Sequence, residues 1–205
     1  LEETVRKEPV TFTDFLRKRF KHILDPIAGL LNRTGLTPNV VTVLGLLGNF
    51  VGAYFIAVGN LTLGGIIILL MGPIDALDGT MARLSGRTSE FGAFVDSVTD
   101  RYSELVILGG LLIHFQLTGD IYGGVLAYVA AAGSVLVSYI RARAQSVGYD
   151  TKIGILSRVE RFLVLVPCLI FNFPMIALWI LAVLTNFTAL QRIWHVRKQF
   201  YERHG

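Results

Sequence analysis

Six apolar stretches, each near the length of a bilayer-crossing helix, dominate the chain: Val40–Val58, Leu61–Ala82, Phe91–Phe115, Ile121–Ala144, Ile155–Phe173 and Pro174–Trp194. A helix needs about 20 residues to cross about 30 Å of hydrocarbon. In lipid its backbone polar groups must be satisfied within the segment, so the expectation is an all-α polytopic membrane protein with six transmembrane helices. A chain that is 53% hydrophobic and only 17% charged suits lipid better than water.

The charges are distributed as a membrane topology requires. Lys and Arg fall before the first stretch, between the second and third, between the fourth and fifth, after the sixth, or at the adjoining ends. The connections at 59–60, 116–122 and 172–174 contain none. The positive-inside rule therefore predicts that both termini and both basic loops are cytoplasmic. A net charge of +4 could suit nucleic acid in a soluble protein, but these basic residues line one membrane face. Membrane lipids and phosphorylated substrates are the expected partners, and nucleic acid is not.

Residues 1–10 are polar and lack the basic, apolar and small-residue order of a signal peptide; they are read as a flexible or expression-derived lead. Residues 11–205 are read as one membrane domain, with no internal repeat or linker. Over 11–33, Thr13 is an expected N-cap, and Phe12, Phe15, Leu16, Phe20, Ile23, Leu24, Ile27, Leu30 and Leu31 recur at helical spacing opposite Arg17, Lys18, Lys21 and His22. That pattern predicts an amphipathic helix lying in the interface, bent near Pro26. Cys168, the only cysteine, lies in an apolar run and is read as packing.

The segment from Asp75 to Asp100 carries the chemistry. A carboxylate at the centre of a span costs about 2.5 to 3.5 kcal/mol on insertion scales, so such groups face a cavity and have a use. Asp75 and Asp78 are spaced i,i+3 at the end of the second stretch, and Asp96 and Asp100 are spaced i,i+4 at the start of the third. Each pair shares a helix face, and a short loop lets the pairs meet. Four close carboxylates repel, and divalent cations with hard oxygen ligands relieve that; Mg²⁺ or Mn²⁺ fits best, since a phosphate can complete the coordination. A structural polar network or the ion path of a cation transporter is the competing reading. Gly79 leaves backbone open to a ligand, Ala82 keeps the same face shallow, and Arg83 offers a planar fork to phosphate. Gly92 continues the face of Asp96 and Asp100 and allows close helix approach. Glu104, one turn further, is read as a structural hydrogen-bonding group.

Read together, these residues spell D-x2-D-G-x2-A-R-x8-G-x3-D-x3-D, and this segment resembles the signature of the CDP-alcohol phosphatidyltransferases at every position. The resemblance extends to six spans with an N-terminal interfacial helix. It implies transfer of a phosphatidyl or ether-lipid counterpart from a CDP-lipid such as CDP-diacylglycerol to an alcohol, with release of CMP, in a prokaryotic plasma membrane. By the same resemblance, Asp75, Asp78, Asp96 and Asp100 hold the metal, as two ions, and Asp100 is also the base for the attacking hydroxyl. Gly79, Ala82, Arg83, Ser89, Pro38, Asn39, Val40 and Val41 would contact the CDP-lipid together with Asp75 and Asp78. A homodimer is implied by the family alone.

The acceptor is read from arginines. Arg141 and Arg143 end the fourth stretch, Arg158 and Arg161 begin the fifth, and Lys152 lies between. Each one could be an interfacial anchor, but as a group they suit an acceptor that already carries phosphate. The string Tyr139-Ile140-Arg141-Ala142-Arg143-Ala144, then Gly148, Gly154 and Arg158-Val159-Glu160-Arg161, is similar to the inositol-phosphate branch of that family. It departs from the branch at Arg141, where lysine is frequent, and at Gln145, where an acidic residue is frequent. Inositol phosphate is therefore the expected acceptor, with glycerol phosphate or another alcohol as the alternative. His114 and His195 are read as interfacial, and Trp179, Trp194, Tyr122 and Tyr201 as aromatic belt or packing.

Overall fold

A computed structural model describes residues 12–86, 88–151 and 153–204, with the side chains of α1 described from Lys21 onward. The polar lead and Lys152 lie outside what is described, as does the Thr13 side chain; Thr13 is not the residue that precedes the helix, because α1 already includes Phe12. The described residues form seven helices and no strand: α1 (Phe12–Arg33), α2 (Pro38–Ala57), α3 (Leu61–Leu84), α4 (Glu90–Thr118), α5 (Ile121–Ser146), α6 (Arg158–Ile170) and α7 (Pro174–His204).

Local chemistry sets the boundaries. Asn60 accepts from the amide of Leu63 at 3.2 Å, Ser89 from Gly92 at 2.9 Å and Asp120 from Gly123 at 3.0 Å, each capping the helix that follows. Gly119 adopts a left-handed φ of 76° and ends α4, which a residue with a Cβ would do under strain.

Four helices, α2, α3, α5 and α7, are long and apolar enough to cross a membrane, so the molecule is an all-helical integral membrane protein. The other two expected spans differ in instructive ways. Helix α4 has the length, but carries Asp96, Asp100, Arg101 and Glu104 along its first half. Helix α6 has 13 residues, roughly 20 Å at about 1.5 Å per residue, and so is shorter than the expected 155–173. Its start is delayed by a capping box, in which the Ser157 amide donates to the Glu160 carboxylate at 2.5 Å. Beyond its end, Asn172 takes a left-handed φ of 64°. Helix α7 runs to His204, well beyond Trp194.

The bundle is tied by α2 against α3 and α4, α5 against α4 and α7, and α6 against α3 and α7. Its core contains Ile56, Ile68, Leu108, Leu111, Leu169 and Leu181, all almost fully buried, while the outer faces of the helices stay apolar, as lipid requires. Close approach depends on glycine. A Cβ on Gly110 would stand 2.6 Å from the carbonyl oxygen of Ala53, and one on Gly64 would stand 2.7 Å from that of Gly52. Gly110→Ala is therefore expected to lower stability by about 1–3 kcal/mol through overpacking, measured as thermal unfolding in detergent. Gly109→Ala, in the same helix but meeting nothing within 4 Å, should hold or slightly raise the midpoint, because alanine is the better helix former.

Helix α1 runs on through Pro26 and is more than a surface anchor. Leu24 and Ala28 are buried against Val41, Leu77 and Met81, and the Asn32 side chain donates to the Met81 carbonyl at 3.2 Å. Ile23, Ile27 and Leu30 face outward. The helix thus buttresses the end of α3 that carries the first two aspartates.

Candidate active site

Asp75 and Asp78 project from the last turns of α3, and Asp96 and Asp100 from the first half of α4. The capped start of α4 explains how they meet. Ser89 holds the Gly92 amide, and a Cβ on Gly92 would sit 3.1 Å from Ser89 Oγ and 3.7 Å from Asn39 Oδ1, so glycine keeps the start of α4 against α2. One oxygen each from Asp75, Asp78 and Asp96 lies within 4.8 Å of the others.

The carboxylates are oriented by their neighbours. Asp78 is buried; its Oδ2 accepts from the Thr42 hydroxyl at 2.5 Å and its Oδ1 from the Gly79 amide at 2.5 Å. Asp100 is buried as well. Its Oδ2 lies 2.6 Å from Arg158 Nη1 and 3.8 Å from Arg101 Nη1, and its Oδ1 is buried with no hydrogen-bond partner among the described residues. The same Arg158 nitrogen lies 2.9 Å from Asp75 Oδ2.

This donor set fits a divalent metal. Three convergent carboxylates are hard oxygen ligands, and the orphaned Asp100 oxygen beside them is the kind of buried acceptor that an ion or a proton satisfies. Asp75, Asp78 and Asp96 would hold the ion, with Asp100 at its edge.

The residues expected to meet the CDP-lipid separate into two kinds. Around Gly79 there is room: a Cβ added there would meet only Arg83 Nη1, at 3.4 Å, while Arg83 Nη2 bonds Thr80 Oγ1 at 3.0 Å. Ala82, Pro38 and Asn39 are half-buried and Val40 is exposed. Val41 is buried in the α1–α3 contact, and Ser89 is occupied as the cap of α4.

The four arginines do not share one environment. Arg141 and Arg143 are exposed at the end of α5, with Arg143 Nη1 bonding Ser146 Oγ at 3.2 Å. Arg158 reaches the carboxylates. Arg161 instead turns inward: its Nε and Nη2 pair with Glu104 at 2.5 and 2.9 Å, and its Nη1 donates to the Leu156 carbonyl at 3.2 Å.

Arg192 is a residue that sequence reasoning passed over as part of the basic tail. It is buried, donating to the Ile153 carbonyl at 2.9 Å and the Val137 carbonyl at 2.6 Å, and so ties the α5–α6 loop to α5 and α7. The available signal was its helical spacing from Thr185 and Thr188, which share the buried face of α7.

Comparison with known proteins identifies the family. The family model for CDP-alcohol phosphatidyltransferase matches residues 35–190. The chain is 35% identical over 185 residues to an archaetidylinositol phosphate synthase of Pyrococcus horikoshii, covering 90% of this chain and 96% of the relative. It also superposes on the phosphatidylinositol phosphate synthase of Mycobacterium tuberculosis. With CDP-DAG bound, that structure gives a TM-score of 0.81 at 31% identity, over 85% of this chain and 94% of the other. With manganese and citrate, it gives 0.81 at 32% identity, over 84% and 88%. With its signature aspartates converging from two helices and its family model spanning most of its length, the chain belongs to the CDP-alcohol phosphatidyltransferases.

Proposed function

We propose that this enzyme transfers the phosphatidyl group, or its ether-lipid counterpart, from a CDP-lipid to a hydroxyl of inositol phosphate, releasing CMP and forming phosphatidylinositol phosphate. The observation that carries the reading is the convergence of Asp75, Asp78 and Asp96 beside the unpartnered Oδ1 of Asp100. The names of the M. tuberculosis and P. horikoshii relatives support the acceptor.

A bound Mg²⁺ or Mn²⁺, as two ions in this proposal, would offset the diphosphate charge and polarise the phosphorus under attack. Around it, the chain's own residues divide the work. Asp75, Asp78 and Asp96 would hold the metal, and Thr42 and the Gly79 amide fix the Asp78 carboxylate for it. The open backbone at Gly79, with Ala82, Arg83, Asn39 and Pro38 near it, receives the CDP part of the donor. Asp100 accepts the hydroxyl proton on Oδ1. The acceptor oxygen then forms its bond to the lipid-bearing phosphorus, and the diphosphate bond breaks with its electron pair leaving on CMP. Most of the acceleration comes from positioning and charge stabilisation.

Arg141, Arg143 and Arg158 are proposed for the acceptor phosphate; Arg161 is left out because its guanidinium is committed to Glu104 and Leu156. The topology proposed is six crossings, with α4 and the short α6 completing the four apolar helices. Both termini and the site then face the cytoplasm of a prokaryotic plasma membrane, on the basic-loop distribution.

An acceptor panel tests this. Purified protein with Mn²⁺ and CDP-diacylglycerol is expected to release CMP with inositol phosphate and not with unphosphorylated inositol. Release with glycerol phosphate alone would reassign the acceptor while leaving the family chemistry in place.

A further inference from the structure

Glu104 and Arg161 form a fork-to-fork ion pair that the proposed reaction does not use. Nε to Oε1 is 2.5 Å and Nη2 to Oε2 is 2.9 Å, and the side chains are only 17% and 4% exposed. The third guanidinium nitrogen donates to the Leu156 carbonyl, so the arginine is fully oriented. Removing two charges from water is costly even when they are well paired, so a buried pair of this kind is weak evidence for stability and is better explained by the geometry it specifies.

That geometry concerns α6. The helix packs on α3 and α7, and among the described residues the ion pairs that link it to α4 are Arg158–Asp100 and Arg161–Glu104. Asp100 and Glu104 are i,i+4 on α4, and Arg158 and Arg161 are i,i+3 on α6, so the two bonds form rungs of one ladder. Arg158 stands on the first residue of α6, immediately after an irregular loop. A long side chain at such a position has many rotamers and no upstream helix to fix its origin. The bidentate rung one turn inside fixes that origin against α4.

We propose that Glu104 and Arg161 are a positioning pair, which pins the first turn of α6 to α4 and so holds Arg158 beside Asp100, where the acceptor's phosphate and hydroxyl must both be met. Neither residue touches the reactants. The proposal rests on the roles given above to Asp100 and Arg158, and it adds a second layer beneath them.

Arg161→Lys tests it, because lysine keeps the charge but cannot make the planar two-point contact. Misplacing a binding group by about 1 Å can cost up to about 100-fold. The KM for inositol phosphate is therefore expected to rise roughly tenfold or more, while the KM for CDP-diacylglycerol and the Mn²⁺ affinity by electron paramagnetic resonance stay within about twofold. The reversed pair, Glu104→Arg with Arg161→Glu, should recover part of the acceptor KM lost by Glu104→Arg alone. An unchanged acceptor KM in Arg161→Lys overturns the proposal. So does a parallel loss of acceptor KM, donor KM and thermal midpoint, or loss of the folded protein in both Arg161→Lys and the reversed pair, since either would assign the pair to stability. A wild-type protein that binds no Mn²⁺, or releases no CMP with inositol phosphate, would instead refute the reading of the site itself.

Discussion

Asp100→Asn should reduce CMP release by roughly 10²- to 10⁴-fold, the range for loss of a positioned general base, with Mn²⁺ binding weakened much less. The substitution is close to isosteric, and its surroundings explain why the fold should survive it. Arg158 keeps Asp75 as a partner at 2.9 Å, and the amide oxygen can still accept from Arg158 where Asp100 Oδ2 does at 2.6 Å. What disappears is the basic oxygen at Oδ1, which has no other partner among the described residues. Activity within about tenfold of wild type, under conditions where proton transfer limits the rate, would remove Asp100 from the role of base.

Asp78→Asn is expected to abolish Mn²⁺ binding and with it turnover, a loss on the order of 10³-fold or more when charge stabilisation at the phosphorus is lost. This variant isolates charge from structure. Thr42 already has the Pro38 carbonyl within 3.1 Å of its hydroxyl, so it can donate there and accept from the new amide nitrogen. The amide oxygen meanwhile remains available to the Gly79 N–H, which lies 2.5 Å from Asp78 Oδ1. The side chain keeps its seat and loses one negative charge. A spin-resonance titration of Mn²⁺ reads the effect without any turnover. Unchanged Mn²⁺ affinity in this variant would mean that Asp75 and Asp96 hold the ion with a different partner.

The two predictions rest on residues that a one-dimensional reading could already pair. Asp75 with Asp78, and Asp96 with Asp100, share helix faces because of the 3.6-residue period, and their cost in lipid demands a common purpose. The structure brings three of the four into one cluster and sets Asp100 at its side, against Arg158. Helix α6 was less transparent: an apolar count over 155–173 suits a full span, while the Ser157–Glu160 box that starts the helix late is visible in the sequence only when caps are weighed with hydropathy. Helix α1 shows the same limit. Its apolar stripe is wide enough that periodicity does not say which residues meet protein; Leu24 and Ala28 do, whereas Ile23, Ile27 and Leu30 do not.

The identity of the solvent, the helical class of the fold and the two pairs of carboxylates were determined by sequence alone, because each follows from local properties: segment length, charge placement and residues within one or two turns of each other. The fate of the arginines was decided by tertiary structure. Arg158 and Arg161 are three residues apart in one helix, yet one reaches the aspartate cluster and the other is buried against Glu104, 57 positions away. Nothing in their spacing distinguishes them. A guanidinium on a long flexible stem takes whichever carboxylate the neighbouring helix presents, so its role is set by how α4 and α6 are placed and not by the residues beside it.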